Sequence, residues 1–242
     1  MRIEGRRSVL AAVKSGRAVH LYIAEGAKTK IIEELRVAAS DAGITVETVP
    51  RVRLDSWSET GSHQGVMADV KPAPTGDWRE AMELARDAGE VPLLVALDSI
   101  TDPHNAGAII RSCAAFGAHG VLIPDRRSAT INATVAKAAA GALEVVAVHP
   151  VASLQAALED AKQRGLWVVA LAERGAQSLG SCQLLDEPCV IVIGAEGRGV
   201  SRTVLNLADA VVAIPTNPRF PTLNASVAAA ITLHAASRTS RA

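Results

Sequence analysis

The chain has 242 residues, room for two domains or one large one. Hydrophobic residues make up 49% and charged residues 21%, which excludes a disordered chain, and no apolar run approaches the ~18 residues of a transmembrane helix. The 25 basic residues are balanced by 25 acidic ones, which disfavours an indiscriminate nucleic-acid binder with its strong basic excess.

In chain order, Met1-Arg-Ile-Glu-Gly-Arg-Arg7 lacks the apolar stretch of a signal peptide. Residues 7–15 read as a helix and 20–24 as a short strand. A second helix is expected over 29–42, where Ile31, Ile32, Leu35 and Ala39 share a face. Strands follow at 44–49 and 65–70. This alternation predicts a small α/β domain over residues 1–70. Lys71-Pro-Ala-Pro-Thr-Gly76 is a linker, because its prolines and glycine continue neither a helix nor a central strand. A second domain, 77–242, begins with a fully apolar strand at 93–97. Helix and strand then alternate: helix 106–116, strand 120–123, helix 133–141, strand 145–148, helix 153–164, strands 166–171 and 189–193, helix 201–207, strand 210–214, helix 224–237. Aromatics are only 2%, so the core is mostly Ala, Val, Leu and Ile. Both features predict a mostly parallel sheet closely covered by helices on both faces. Cys113, Cys182 and Cys189 show no metal-ligand spacing, and their odd number opposes a disulfide framework. The simple reading is a cytoplasmic protein with reduced cysteines, no metal and no membrane association.

Three blocks resist a pure packing explanation. Asn105-Ala-Gly-Ala-Ile-Ile-Arg111 opens a helix. Asp102 or Asn105 can serve there simply as an N-cap, but Arg111 is out of place on a largely apolar helix. Gly194-Ala-Glu-Gly-Arg-Gly199 follows an apolar strand, and its three glycines permit positive φ and close approach to a ligand. A dinucleotide fingerprint has its glycines in a different order, and a bare tight turn is the plainer alternative. Ile214-Pro215 leads into a proline-stiffened loop ending at Leu223-Asn224-Ala-Ser226-Val227. Thr222 or Asn224 can be only a helix cap, or the loop can hold backbone groups still for a planar polar ligand. All three blocks follow strands of one sheet, and ligands bind beyond the carboxyl ends of such strands. No zinc pattern, phosphate loop or nucleophile elbow is present. Among scattered histidines only His104 abuts a block.

Together, Asn105-x-Gly107-x-x-x-Arg111, Gly194-Ala-Glu196-Gly197-x-Gly199 and Leu223-Asn224-x-Ser226-Val227 resemble the three signature motifs of the SpoU/TrmH family of RNA ribose 2′-O-methyltransferases. The segments Arg127-Ser-Ala129 and Lys137-Ala-Ala-Ala-Gly141-Ala-Leu-Glu144 are similar too. So are Glu4-Gly5-Arg6, Leu21-Tyr-Ile-Ala-Glu25 and His63-Gln64-Gly65-Val66 in the first domain. The resemblance covers nearly the whole chain and is nearest to the two-domain branch acting on large-subunit ribosomal RNA. It implies a SPOUT-type sheet with a C-terminal trefoil knot behind a small RNA-binding domain, an S-adenosyl-L-methionine cofactor, an RNA partner and a homodimer. It also implies roles. Arg111 orients the ribose and stabilises charge, with Asn105, Glu196, Thr222 and Asn224 around the chemistry. Gly194, Ala195, Gly197, Ile214, Thr216, Leu223 and Ser226 contact the cofactor. Arg6, Arg7, His63 and Gln64 contact RNA.

One departure stands out. Relatives usually carry Met-x-Gly-x-x-(Glu/Ser)-Ser after the Ile-Pro pair, where this chain has Thr216-Asn-Pro218-Arg-Phe-Pro221-Thr222. Pro218 fixes φ and removes an N–H donor where glycine is usual. A non-catalytic RNA- or ribosome-binding protein of the same fold, or a tRNA or antibiotic-resistance methyltransferase, are the alternatives.

Overall fold

A computed structural model of the protein describes residues 1–237 apart from Pro74 and Arg127, and it contains two sheets. The first is built from β1 (Arg2–Glu4), α1 (Arg6–Lys14), β2 (Ala18–Ala24), α2 (Lys30–Asp41), β3 (Thr45–Val49), α3 (Arg51–Trp57) and β4 (Val66–Val70). Its order is β1-β4-β2-β3, with β2 and β3 parallel and the other pairs antiparallel. Val9, Ala12 and Val13 of α1 and Ile32 and Leu35 of α2 pack on one face, against Leu21 and Ile23. Leu54 of α3 covers part of the other, with Met67 and Val49. Neither β1 nor α3 shows in the sequence pattern. β1 is too short to display a period, and α3 starts directly after Pro50, which reads as a breaker but occupies the cap position.

After the linker come α4 (Trp78–Asp87), β5 (Leu93–Asp98), α5 (Pro103–Ala115), β6 (Gly120–Pro124), α6 (Ala133–Ala139), β7 (Ala147–Val151), α7 (Leu154–Gln163), β8 (Trp167–Leu171), β9 (Gln177–Ser178), β10 (Cys189–Gly194), α8 (Arg202–Leu207), β11 (Ala210–Ala213) and α9 (Ala225–Ala236). The seven strands run in the order β7-β6-β5-β10-β8-β11-β9, and every pair is parallel. Alternate residues of one strand serve two layers. Val95 and Leu97 of β5 face α5, α6 and α9, while Leu94 and Ala96 face α4, α7 and α8. This explains why β5 carries no polar residue before Asp98.

Three boundaries differ from the sequence reading. α5 starts at Pro103 rather than 106, because the Asp102 carboxylate caps it by accepting from the His104 amide at 2.9 Å. α4 was not anticipated, although Trp78, Met82 and Ala85 recur at helical spacing. The strand expected at 145–148 instead runs Ala147–Val151, because the Val145 and Val146 amides donate to the Ala142 carbonyl and prolong the turn that follows the 3-10 segment Ala142–Glu144.

The two sheets are not loosely tethered. Buried apolar residues from both form one continuous core. A buried ion pair joins Arg17 to Glu144, each side chain 9% exposed, and Arg17 also donates to the linker carbonyl of Lys71. Ser8 Oγ donates to the Ala136 carbonyl at 3.1 Å, and Lys137 Nζ reaches Thr60 Oγ1 at 2.6 Å and the Ser62 carbonyl at 2.8 Å. The loop that Lys137 grips is also held by buried Glu4, which accepts from Ser58 Oγ at 2.5 Å and the Thr60 amide at 2.8 Å.

Burial alone would raise the Glu4 carboxyl, but the hydrogen bonds from Ser58 and Thr60, with Lys137 nearby, hold it below the ordinary glutamate range. A carboxyl depressed in the folded state adds stability above its unfolded pKa, and that stability is lost as pH falls through the folded value. Urea unfolding between neutral pH and about pH 3 should therefore show a smaller acid-induced loss for Glu4→Gln than for wild type. Equal losses would assign the acid sensitivity elsewhere.

Candidate active site

β5, β10, β8 and β11 are neighbours in the parallel sheet, so their carboxyl ends open on one edge. Each end releases a loop there, and a cleft of about 570 Å³ lies among the last three. Its floor is apolar, formed by Leu171, Ile193, Ile214 and Ala228. Its walls include Gly194, Glu196, Thr216, Phe220, Thr222, Leu223 and Asn224.

The glycine block makes a turn that no other residue type would allow. A Cβ on Gly194 would stand 2.1 Å from the Gly199 carbonyl carbon and 2.2 Å from the Val200 nitrogen. The chain doubles back on itself there, closed by the Gly199 amide donating to the Ala195 carbonyl at 2.7 Å. Gly197 and Gly199 sit at φ 75° and 65°, the left-handed region. A buried carboxylate anchors the far side of the turn: Asp98 Oδ2 accepts from the Ser201 amide at 2.7 Å. Ser99, next to it, is held at φ 63°, a strained value for a non-glycine residue. The sequence reading passed over Asp98. Its signal was an acid ending an otherwise apolar strand.

The turn points Glu196 at the other two blocks. Glu196 Oε1 accepts from Asn105 Nδ2 at 3.1 Å, from Asn224 Nδ2 at 2.5 Å and from the Ala225 amide at 3.4 Å. Asn224 Nδ2 also donates to Asn105 Oδ1 at 2.9 Å. Asn224 does this while capping α9, its Oδ1 accepting from the Ser226 amide at 2.9 Å and from Ser226 Oγ at 2.6 Å. The two readings of Asn224, cap or site residue, are therefore one arrangement. Asn105 is not a cap. It lies in the first turn of α5 and is buried. All of these donors converge on Oε1, and Glu196 Oε2 makes no hydrogen bond with a described residue.

Gly107 explains the glycine in the first block. A Cβ there would lie 2.5 Å from Ala138 Cβ and 2.7 Å from the Val135 carbonyl, so α5 and α6 meet backbone to backbone. Arg111 is not brought to the cleft wall. It lies about 9 Å along α5 from Asn105 and about a third of a turn around it. The side chain is exposed and makes no ion pair or hydrogen bond with a described residue. Thr222 lines the cleft, whereas Ser226 serves the α9 cap and does not. Phe220 and Pro221, in the loop of the third block but with no role expected of them, also line the cleft, as does Glu173, which lies outside all three blocks.

The expected RNA contacts divide. Arg7 is exposed, and Arg6 donates through its amide and Nε to Gln64 Oε1 and the Gln64 carbonyl, each at 3.1 Å. His63 is a correction. It is 2% exposed, with Nε2 on Asp55 at 2.8 Å and Nδ1 accepting from the Gly65 amide at 3.0 Å. Both ring nitrogens are used in shaping the turn, so the ring is not available to RNA. Arg127 lies outside the described residues. Burial pushes the Cys189 thiol up to about 12, so it is no nucleophile at neutral pH. Among the described residues no group of His, Cys, Asp or Glu is placed to hold a metal ion.

Residues 92–234 match the model of the SpoU rRNA Methylase family, and residues 2–76 match that of RNA 2′-O ribose methyltransferase substrate binding. The chain is 43% identical over 241 residues to an uncharacterized tRNA/rRNA methyltransferase of Mycolicibacterium paratuberculosis, covering 98% of this chain and 77% of that one. It is 40% identical to the 23S rRNA (guanosine-2′-O-)-methyltransferase RlmB of Pseudomonas syringae, covering 92% and 88%. In fold it is similar to the SpoU methyltransferase AviRb of Streptomyces viridochromogenes, solved in complex with AdoMet. That match has a TM-score of 0.78 at 24% identity and covers 98% and 89% of the two chains.

The doubled-back turn leaves no room for a side chain at Gly194. Gly194→Ala should force the 195–200 segment away and lower the melting temperature, because the clash is with backbone. Gly180→Ala, with nothing within 4 Å of its Cβ position, is the control. Equal melting temperatures for the two variants would refute the steric account.

Proposed function

The chain belongs to the SpoU rRNA methylase family, and from that premise we propose that it methylates ribose 2′-hydroxyls of 23S ribosomal RNA. It is an S-adenosylmethionine-dependent methyltransferase. The observation that carries the reading is the convergence of Asn105 and Asn224 on one carboxylate oxygen of Glu196 beside the glycine-cradled cleft.

The cleft fits the cofactor in kind. Backbone at Gly194, where a Cβ has no room, together with the floor at Leu171, Ile193 and Ile214, offers amides, carbonyls and apolar surface to a nucleoside. Gly194, Ala195, Gly197, Ile214, Thr216 and Leu223 would hold it. When bound, it supplies a methyl group already activated by a sulfonium centre. The chain's part is alignment and proton management. Asn105 and Asn224 fix the Glu196 carboxylate, and its free Oε2 is the acceptor placed to receive the ribose hydroxyl proton's hydrogen bond. Arg111, a guanidinium with no partner among the described residues, stabilises the oxyanion that develops or holds the adjacent phosphate. Arg6, Arg7 and Gln64 contact RNA from residues 1–70, which serve as the substrate-binding domain with 77–242 as the catalytic one.

A trefoil knot accounts for the topology. Between β8 and β10 the chain runs out to the sheet edge at β9 and returns. On the way Gly175 passes so near β11 that a Cβ would stand 2.4 Å from the Val212 carbonyl carbon. α9 then comes back to pack on α5, β10 and the turns at Leu179–Ser181 and Gln183–Asp186. A homodimer covers the outer stripe of this helix. Val227 and Ile231, at i and i+4, are 46% and 39% exposed. No described helix is long and apolar enough to cross a membrane, and with bacterial ribosomal RNA methyltransferases as relatives the site of action is the cytoplasm.

The test is tritiated methyl transfer to ribosomal RNA lacking the modification. Wild type should incorporate label, and Arg111→Ala and Glu196→Gln should each lose roughly 100-fold or more in kcat, the loss typical of deleting a transition-state contact. Undiminished transfer by Arg111→Ala would remove it from the chemistry. In sedimentation velocity, Val227→Glu with Ile231→Glu should convert a dimer to a monomer. A wild-type monomer would end the dimer reading.

A further inference from the structure

The outer lip of the cleft carries groups that the methyl-donor site does not use. Phe220 is 74% exposed, in a chain with only two phenylalanines. It lines the cleft four residues before Asn224. The loop presenting it is ordered by Pro218 and Pro221 and by three hydrogen bonds. Phe220 N donates to the Asn217 carbonyl at 2.8 Å, Arg219 N to Asn217 Oδ1 at 2.9 Å, and Thr216 Oγ1 to the Pro221 carbonyl at 3.2 Å. A large apolar ring held out in water by a stiff turn loses little further entropy on being covered. Two cations lie on the loops that line this cleft. Arg219 is the neighbour of Phe220, and Arg198 projects from the glycine turn on the same cleft. Both are exposed, and neither guanidinium has a partner among the described residues.

We propose that Phe220, Arg198 and Arg219 form the grip for the RNA strand that carries the acceptor ribose. Phe220 stacks on the base of the target nucleotide or its immediate neighbour, and the two arginines take the flanking phosphates. An aromatic face between cations is the combination that holds a single strand, with stacking independent of base identity and cations on the backbone. Phe220 lines the same cleft as Glu196 and Asn224 and is its most exposed large apolar side chain, so a strand whose ribose reaches the pair passes the ring. Val227 and Ile231, exposed on α9 and not among the cleft residues, form a separate surface. This inference rests on the RNA methyltransferase reading and adds the residues that choose and hold the acceptor strand.

The experiment uses the full chain, a ribosomal RNA fragment containing the target nucleotide in unmethylated form, and S-adenosylmethionine. Fluorescence anisotropy reads RNA affinity, calorimetry reads cofactor affinity, and label transfer gives KM and kcat. Phe220→Ala should raise the RNA Kd and KM roughly 5- to 100-fold, the range for one lost stack, with cofactor affinity unchanged. Phe220→Trp should restore binding. Arg198→Ala with Arg219→Ala should flatten the slope of log affinity against log salt by about 1.4, two phosphates at about 0.7 each. Unchanged RNA affinity in Phe220→Ala overturns the proposal. So does a parallel fall in cofactor affinity, which would place the ring on the cofactor, or a loss of dimer, which would place it in a subunit interface. RNA binding that depends on Phe220 without any label transfer would leave the grip standing and defeat the catalytic reading instead.

Discussion

One carboxylate oxygen gathers the site. Glu196 Oε1 takes hydrogen bonds from Asn105, 91 residues away in sequence, and from Asn224, 28 residues away. An ionised carboxylate accepts only, and two carboxamides that donate to it are fixed in orientation without adding charge. The three strand ends that supply these residues must therefore stay in register. The sheet order does this by placing β10, which leads into Glu196, beside β5 and one strand away from β11, which leads to Asn224. Asn224 ties the arrangement to α9 by capping it, so the helix, the loop and the carboxylate move as one body.

A second constraint is the near approach of backbone to backbone. Gly107 between α5 and α6, Gly175 against β11 and Gly194 under Gly199 all stand where a Cβ has no room. The scarcity of aromatics and the abundance of alanine belong to the same design. Helices lie near one another and near the sheet, and dispersion contacts of small side chains replace bulky ones. The α6 segment shows the consequence. It meets α5 through Gly107 on one side. On the other, Lys137, Gly141 and Glu144 meet the first sheet, where a Cβ on Gly141 would stand 2.7 Å from Ala11 Cβ. The first sheet and the helix that carries Asn105 and Arg111 are thus connected by direct packing instead of by the linker alone.

The zero net charge is consistent with a protein that binds RNA locally. Cations used for structure are neutralised in place, as Arg17 is by Glu144 and Arg2 by Asp69. Arg111, Arg198 and Arg219 have no partner among the described residues, and each lies on an element that carries or borders the site. A polyanionic substrate needs such a distribution more than it needs a basic isoelectric point.

The sequence by itself determined the alternation of strands and helices, the helix-covered parallel sheet and the three blocks that meet at its edge. These are local properties: apolar periodicity, glycine at turns, polar residues before helices. The motif spacing also gave the family, because three short patterns in fixed order are far more specific than any one. Only the tertiary structure decided what each residue does within that frame. It made His63 a buried turn-former, since burial depends on what folds over a side chain. It gave Asn224 both its roles and showed Asp98 holding the glycine turn from another strand. It also placed Phe220 at the lip of the cleft, and left Arg111 on an open flank of α5. A spacing along the chain fixes which helix a residue is on. Which neighbour it meets depends on how helices and strand ends far apart in sequence are brought together, and that is settled by packing.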